Sequence, residues 1–268
     1  MQGNAQKVMT YYDKMAISCQ PECIGAYPFG NGGRSEILYQ HFFEFRHLKD
    51  LVTLSQNMTV LELGCGGGRW ALSIAPLVRK YIAFDFSRAS LESATKRAKQ
   101  KKLDNIEFRY SSLQAFNPQE DYDLVYFSGV TQYVQDDELR QILSKLIPHM
   151  KPSTVIIDRS TISLKNRIVR DDKEYFSIYR TESELMDIFK SVGLESTYKN
   201  RSYRFMRFSR IINLPVVSEI LPKSISISQP LSFYILYGLV FIADAIHPIV
   251  IENGDYDHKF FVFSNESK

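Results

Sequence analysis

Thr59-Val60-Leu61-Glu62-Leu63-Gly64-Cys65-Gly66-Gly67-Gly68-Arg69-Trp70 is the stretch whose reading decides the fold. Val60, Leu61 and Leu63 make an apolar run of strand length. Four glycines follow within five positions, and Arg69 to Leu77 then reads as a helix. A strand, a glycine turn and a helix bring free backbone N–H groups and close backbone approach to one spot. An α/β sheet holds a nucleotide-like cofactor in this way, at the carboxyl end of its first strand.

Two cofactors compete for that spot. Gly66-Gly67-Gly68-Arg69-Trp70-Ala71 fits the dinucleotide pattern G-x-G-x-x-G/A, and Asp85 follows at about the expected distance. Glu62, two residues before the first glycine, argues against it, because a carboxylate beside a pyrophosphate cradle costs affinity by like-charge repulsion. S-adenosylmethionine (SAM) has no phosphate and carries a sulfonium and an ammonium, so an acidic neighbour suits it. Glu62 to Gly68 also resembles the E/D-x-G-x-G-x-G signature of class I SAM-dependent methyltransferases.

A chain of 268 residues is one large α/β domain or one domain with an insertion. Hydrophobic residues make up 44 % and aromatics 13 %, enough for a buried core, which excludes a disordered chain. A net charge of +3 does not announce nucleic acid, which is not expected as a partner. Three cysteines (Cys19, Cys23, Cys65) form no disulfide framework, and Cys19-x-x-x-Cys23 has no Cys/His pair nearby to complete a metal site, so no metal is expected. With no charged segment leading into an apolar one at the N-terminus, a cytoplasmic protein is expected.

Residues 1–33 read as irregular, and Arg34 to Val52 as an amphipathic helix covering the first strand. Tyr81 to Asp85 is the second strand. Asp85, 21 positions after Gly64, can accept both ribose hydroxyls. Ser87 caps a helix through Lys102, and Asn105 to Tyr110 is the third strand. Asp121 to Phe127 is the fourth, running into Ser128-Gly129-Val130-Thr131-Gln132-Tyr133, and Asp136 caps a helix through Ile147. Strand five is Thr154 to Asp158, with Asp158-Arg159 at its carboxyl end. Thr181-x-x-Glu184 opens a helix to Val192, Gly193 stops it, Leu194 to Lys199 is strand six and Lys259 to Phe263 is the last strand.

The connection from 201 to 257 is far longer than a hairpin needs. Arg201, Arg204, Arg207 and Arg210 interleave with aromatics, and an uncharged run of 20 residues follows from Ser224 to Ala243. A single membrane span there would part the last strand from its sheet, so a helical insertion is the better account. Its arginine-aromatic start suits phosphate groups, and contact of 201–243 with an anionic membrane surface is one expectation.

The resemblance to class I methyltransferases covers roughly 35–200 plus the last strand. It implies an α/β, Rossmann-like, seven-stranded, mostly parallel sheet with an antiparallel last strand, helices on both faces and a helical insertion between strands six and seven. It divides the chain into an N-terminal lid segment (1–34), a SAM-binding domain (35–200 and 258–268) and the insertion (201–257). The cofactor positions it implies are Glu62, Gly64, Cys65, Gly66, Gly68, Asp85, Phe86, Ser112, Leu113, Ser128 and Gly129. Ser111-Ser112 stands where many relatives carry an acidic residue for the adenine amino group. A hydroxyl there still accepts a hydrogen bond. SAM is the expected cofactor and S-adenosylhomocysteine the product.

Candidate substrate or lid residues are Tyr11, Tyr12, Arg34, Tyr133 and Arg159; candidate catalytic residues are Asp158 and His258. The Asn/Asp-Pro-Pro-Tyr tetrapeptide of nitrogen methylation is absent at Ser128 to Val130, which points to oxygen. Gly129 to Tyr133, Ile178 to Thr181 and Asp257 to Phe263 are similar to enzymes that methylate sugars of bacterial surface polysaccharides. A hydroxyl of a glycan or other small acceptor is the expected target. A quinone, lipid or secondary-metabolite methyltransferase, an RNA methyltransferase and an inactive methyltransferase-like scaffold are the alternatives.

Overall fold

The structure is a computed structural model that describes residues 2–18, 33–202 and 255–265, with helical positions 234, 235, 238, 239 and 242. In chain order the elements are α1 (Gln2–Ser18), α2 (Gly33–Leu51), β1 (Thr59–Leu63), α3 (Ala71–Ile74), β2 (Lys80–Asp85), α4 (Arg88–Gln100), β3 (Ile106–Tyr110), β4 (Tyr122–Ser128), α5 (Asp136–Leu146), β5 (Met150–Ser163), β6 (Ile168–Asp171), β7 (Phe176–Tyr179), α6 (Glu182–Lys190), β8 (Leu194–Arg201) and β9 (Tyr256–Asn265). Seven strands form one sheet in the order β3-β2-β1-β4-β5-β9-β8. β3, β2, β1, β4 and β5 pair in parallel, and β9 runs antiparallel to both β5 and β8. The Rossmann-like sheet with a reversed last strand is as the sequence predicts.

Strand alternation sets the two faces. Leu61, Leu63, Ile82, Phe84, Val125, Phe127, Ile156, Phe261 and Phe263 form one cluster with Leu139, Ile142, Leu143 and Leu146 of α5 and Leu185, Ile188 and Phe189 of α6. Each such side chain contributes roughly 1.5–3 kcal/mol by leaving water. Trp70 serves the other face, edge-on to Tyr126 of β4 at 4.9 Å. The parallel order places the tips of β1, β2, β3 and β4 side by side, and the ligand crevice of such sheets lies there.

Several boundaries differ from the sequence expectation. Residues 2–18 are helical, not irregular. Val8 and Ala16 are buried, and with Tyr12 between them they repeat every four residues along one face. Strand five does not end at Asp158. It continues to Ser163 because Arg159, Ser160, Thr161 and Ser163 are buried in pairing with β9. The cap of α5 is Gln135, not Asp136: the Gln135 N–H donates to Glu138 Oε2 at 3.2 Å, and the Asp136 carboxylate is taken by arginines. β6 and β7 form an unforeseen antiparallel hairpin. His258 lies within the last strand, not before it.

The chain divides into two compact units, one of residues 1–27, 54–201 and 256–268, the other of 28–53 and 202–255. The helix expected over the first strand, α2, thus groups with the insertion. Within that second unit, Ser202 Oγ donates to Glu44 Oε1 at 2.9 Å. Most of the insertion, Cys19, Cys23 and the rest of 19–32 lie outside the described residues.

Candidate active site

Gly64, the first glycine after β1, has φ +76°, and a Cβ there would lie 2.4 Å from Val130 Cγ2. No side chain fits between β1 and the loop after β4. Gly68 has φ +79° and sits 3.0 Å, by the same construction, from the Ala94 Cβ, so it lets α4 approach the turn. The Gly64 and Cys65 N–H groups both donate to the Phe84 carbonyl, at 2.8 and 2.9 Å, and the Gly66 N–H donates to Asp85 Oδ2 at 2.7 Å. The turn is therefore anchored on β2. Asp85 Oδ1 accepts the Ser87 N–H at 2.8 Å, and Ser87 caps α4 through the Ser90 N–H.

One cavity at the strand tips is lined by Glu62, Gly64, Cys65, Gly66, Asp85, Phe86, Ser112, Leu113, Ser128 and Gly129. Ten of the eleven positions implied for the cofactor thus meet in one place, while Gly68 stands behind them. Tyr12 and Tyr133 line the same cavity, and α1 adds Ala5, Val8 and Met9. Tyr11 packs edge-on against Tyr12 and Tyr175, at 5.2 and 5.0 Å. Asp158, Arg159 and His258 are not among the lining residues. Asp158 is fully buried and accepts hydrogen bonds from Ser160 Oγ at 2.7 Å and Thr131 Oγ1 at 3.2 Å. His258 Nδ1 meets Thr161 Oγ1 at 3.0 Å. Arg34 lies on α2, in the other unit.

Burial sets the electrostatics. It pushes the Glu62 carboxyl up to about 8, against the hydrogen bond donated by Tyr81 Oη at 2.9 Å. It raises Asp85 to about 6, opposed by the N–H groups of Ser87 and Gly66. Asp158 also rises to about 6 for the same reason, against Ser160 and Thr131. A cationic ligand head beside Glu62 would draw off its proton and hold it ionised.

The sequence reading missed three parts of this site. Arg69, with its guanidinium 5.6 Å from the Trp70 ring centre, lines the cavity and is the one Lys or Arg among the lining residues. Trp70 Nε1 donates to Ser128 Oγ at 2.9 Å, tying the start of α3 to the tip of β4. Arg180, 2 % exposed, staples the loop that carries Tyr133. Its Nη1 donates to the Thr131 carbonyl at 2.8 Å, its Nη2 to the Val134 carbonyl at 2.6 Å, and its Nε to Asp136 Oδ1 at 2.9 Å. Arg69 and Trp70 stood in the decisive stretch itself. Arg180 stood in the singled-out Ile178 to Thr181 segment, but its clamping role left no local signal, since its partners, two backbone carbonyls and the Asp136 carboxylate, are far away in sequence.

The donor set fits SAM. Asp85 stands at the β2 tip where a ribose diol is held, and Glu62 suits a cationic amino-acid head. The single Arg69 suits that head's carboxylate, and no cluster of cations is present among the lining residues for a pyrophosphate. Ser111 and Ser112 line the end toward β3, with Ser112 Oγ accepting the Ala115 N–H at 3.2 Å.

The fold is a Rossmann-like architecture shared with solved methyltransferases. Residues 60–153 match a family described as "Methyltransferase domain". Among curated proteins the chain is similar to a ubiquinone biosynthesis O-methyltransferase of Rickettsia canadensis, 29 % identical over 42 % of this chain and 44 % of that protein. It is also similar to a malonyl-[acyl-carrier protein] O-methyltransferase of Ilyobacter polytropus, 25 % identical over 64 % of this chain and 78 % of that protein. The chain thus spans less than half the length of the ubiquinone-pathway relative. Among solved structures, a SAM-dependent methyltransferase of Leishmania major has a TM-score of 0.61 at 16 % identity, over 76 % of this chain and 79 % of that one. An O-methyltransferase from a Brevibacillus brevis multienzyme, in complex with S-adenosyl-L-homocysteine, has a TM-score of 0.54 at 16 % identity, over 86 % of this chain and 71 % of that one. These two share the fold.

Proposed function

We propose that the chain is a SAM-dependent methyltransferase of the cytoplasm that moves a methyl group onto a hydroxyl of a small acceptor. The observation that carries this reading is one cavity in which Glu62, the glycine turn and Asp85 meet the phenols of Tyr12 and Tyr133. The family match over 60–153 and the O-methyltransferases among the relatives support it. SAM supplies a sulfonium-activated methyl group. The chain's residues bind and align: Asp85 orients the ribose, Glu62 and Arg69 the amino-acid head, and the loop after β4 the acceptor, so much of the rate comes from positioning. The glycan that the sequence suggests is the less favoured acceptor. A sugar needs many hydrogen-bond partners, whereas Val8 and Met9 of α1 and Val130 and Val134 after β4 add apolar lining to the cavity. Calorimetry with SAM tests the reading: native protein binds, and Gly66→Arg and Asp85→Ala abolish or greatly weaken binding. Unchanged affinity in both variants sinks it.

Peripheral contact with anionic membrane through 201–243 remains part of the proposal. Among the described positions of that stretch, Ile235, Leu239 and Ile242 recur at helical spacing and are each more than half exposed. No helix among the described residues is long and apolar enough to cross a membrane. Co-sedimentation with anionic liposomes, reversed at high salt, is the expected result. Equal recovery with neutral liposomes would remove the electrostatic part.

A further inference from the structure

The end of the cavity beyond Asp85 is uncharged among its lining residues. The charged ones are Glu62 on β1, Arg69 after the glycine turn and Asp85 at the end of β2. Past them the lining is Phe86, Ser111, Ser112, Leu113, Gln114 and Phe116. Ser111 to Gln114 follow β3, whose last residue, Tyr110, pairs with Asp85. The strand order β3-β2-β1 puts them on the side of Asp85 away from the glycine turn. A cofactor with its amino-acid head at β1 and its ribose at Asp85 has its base there.

Phe86, Leu113 and Phe116 meet a flat ring through its faces, whatever its edge carries. The side chains that can bond the edge are Ser111, Ser112 and Gln114, and each type both donates and accepts. Ser112 is half-buried, and its Oγ accepts the Ala115 N–H at 3.2 Å, which orients the side chain. A hydroxyl held in this way still has a proton to give and a second lone pair to offer. Ser111 Oγ donates to the Ser112 carbonyl at 3.0 Å and accepts through its own lone pairs.

Adenine carries an amino group at C6, which donates, beside a ring nitrogen that accepts. In hypoxanthine the C6 oxygen accepts and that nitrogen donates. A carboxylate at this place accepts from the amino group and repels the oxygen. A hydroxyl turns to serve either. Fixed polar groups reject a mismatched analogue strongly, and adjustable ones do not. We propose that the base end of this cavity takes a 6-oxopurine about as readily as adenine, with Ser112 as the residue that sets the tolerance; this rests on the SAM reading. The chain thereby binds the deaminated, inosine form of its cofactor as well as the adenosine form.

The test is binding of S-adenosylhomocysteine and S-inosylhomocysteine to the full chain. Calorimetry reads it, and so does the fluorescence of Trp70, the one tryptophan of the chain, which lines the cavity. The two Kd values of native protein are expected to lie within about tenfold of each other. Ser112→Asp keeps an acceptor for the Ala115 N–H, so the turn is retained. In that variant the preference for the adenosine form should widen by about tenfold or more, through loss of the inosine form. A native preference for either form beyond about tenfold, or a preference unchanged by Ser112→Asp in folded protein, would overturn the proposal. Failure of native protein to bind either compound would instead overturn the SAM reading beneath it.

Discussion

Asp85 Oδ2 accepts the Gly66 N–H at 2.7 Å, so the carboxylate that ends β2 holds the glycine turn that follows β1. Its other oxygen accepts the Ser87 N–H at 2.8 Å, which aligns α4. One side chain thus shapes the turn before any ribose arrives. Asp85→Asn keeps the size but can accept at only one atom. SAM affinity should fall at least about tenfold, roughly 1.4 kcal/mol, by calorimetry, with a smaller loss of thermal stability. Equal affinity would remove Asp85 from the binding site.

Gly64→Ala should destabilise the fold by about 1–3 kcal/mol in urea titration. A left-handed φ of +76° is strained for alanine, and the new methyl would meet Val130 Cγ2 at 2.4 Å. Adding Val130→Ala should recover the part due to the clash and leave the part due to backbone strain. A neutral Gly64→Ala would mean that the β1 turn and the β4 loop are not held against each other.

Arg180→Ala leaves the Asp136 carboxylate and the Thr131 and Val134 carbonyls without the partner they share. Arg167 still holds Asp136, at 2.9 and 3.0 Å, so the expected loss, about 1–3 kcal/mol, is that of the carbonyls left without a donor. Arg180→Lys should recover only part of it, because an ammonium cannot span three acceptors in one plane. Full recovery by lysine in a denaturation curve would reduce the clamp to simple charge.

Glu62 gives a pH dependence of known sign. Its carboxyl stays protonated in the fold up to about 8, while the unfolded chain releases the proton near 4.5. Between those values the folded state binds more protons, so this group's contribution is whole below 4.5 and is lost as pH rises toward 8. Native protein should therefore lose stability from pH 5.5 to 7.5 relative to Glu62→Gln, by up to about 1 kcal/mol per pH unit. Parallel curves for the two proteins would contradict the buried, protonated carboxyl.

The legible parts of this chain were those whose signal is local. The strand, turn and acid of Glu62 to Asp85 lie within one unit, and Ser87 and Thr181 cap their helices with the residues that the sequence offers. The illegible parts depend on distant partners. α1 interleaves Lys7, Thr10, Asp13 and Lys14 with its apolar face, and Asp13 finds its partner at Ser87 Oγ, 2.8 Å away. The β6–β7 hairpin turns through Asp172-Lys173-Glu174-Tyr175, with neither glycine nor proline to mark it. Asp158 looked like a strand tip because the apolar run ends there, yet polar Arg159 to Thr161 continue the strand under cover of β9.

Transfer of a labelled methyl group from SAM into fractionated cell extract tests the central claim most directly. Native protein is predicted to place label in a small-molecule fraction, and Asp85→Ala to place little or none. Label that is equal for the two proteins, or absent from small molecules, polysaccharide, lipid and RNA alike, would contradict the account.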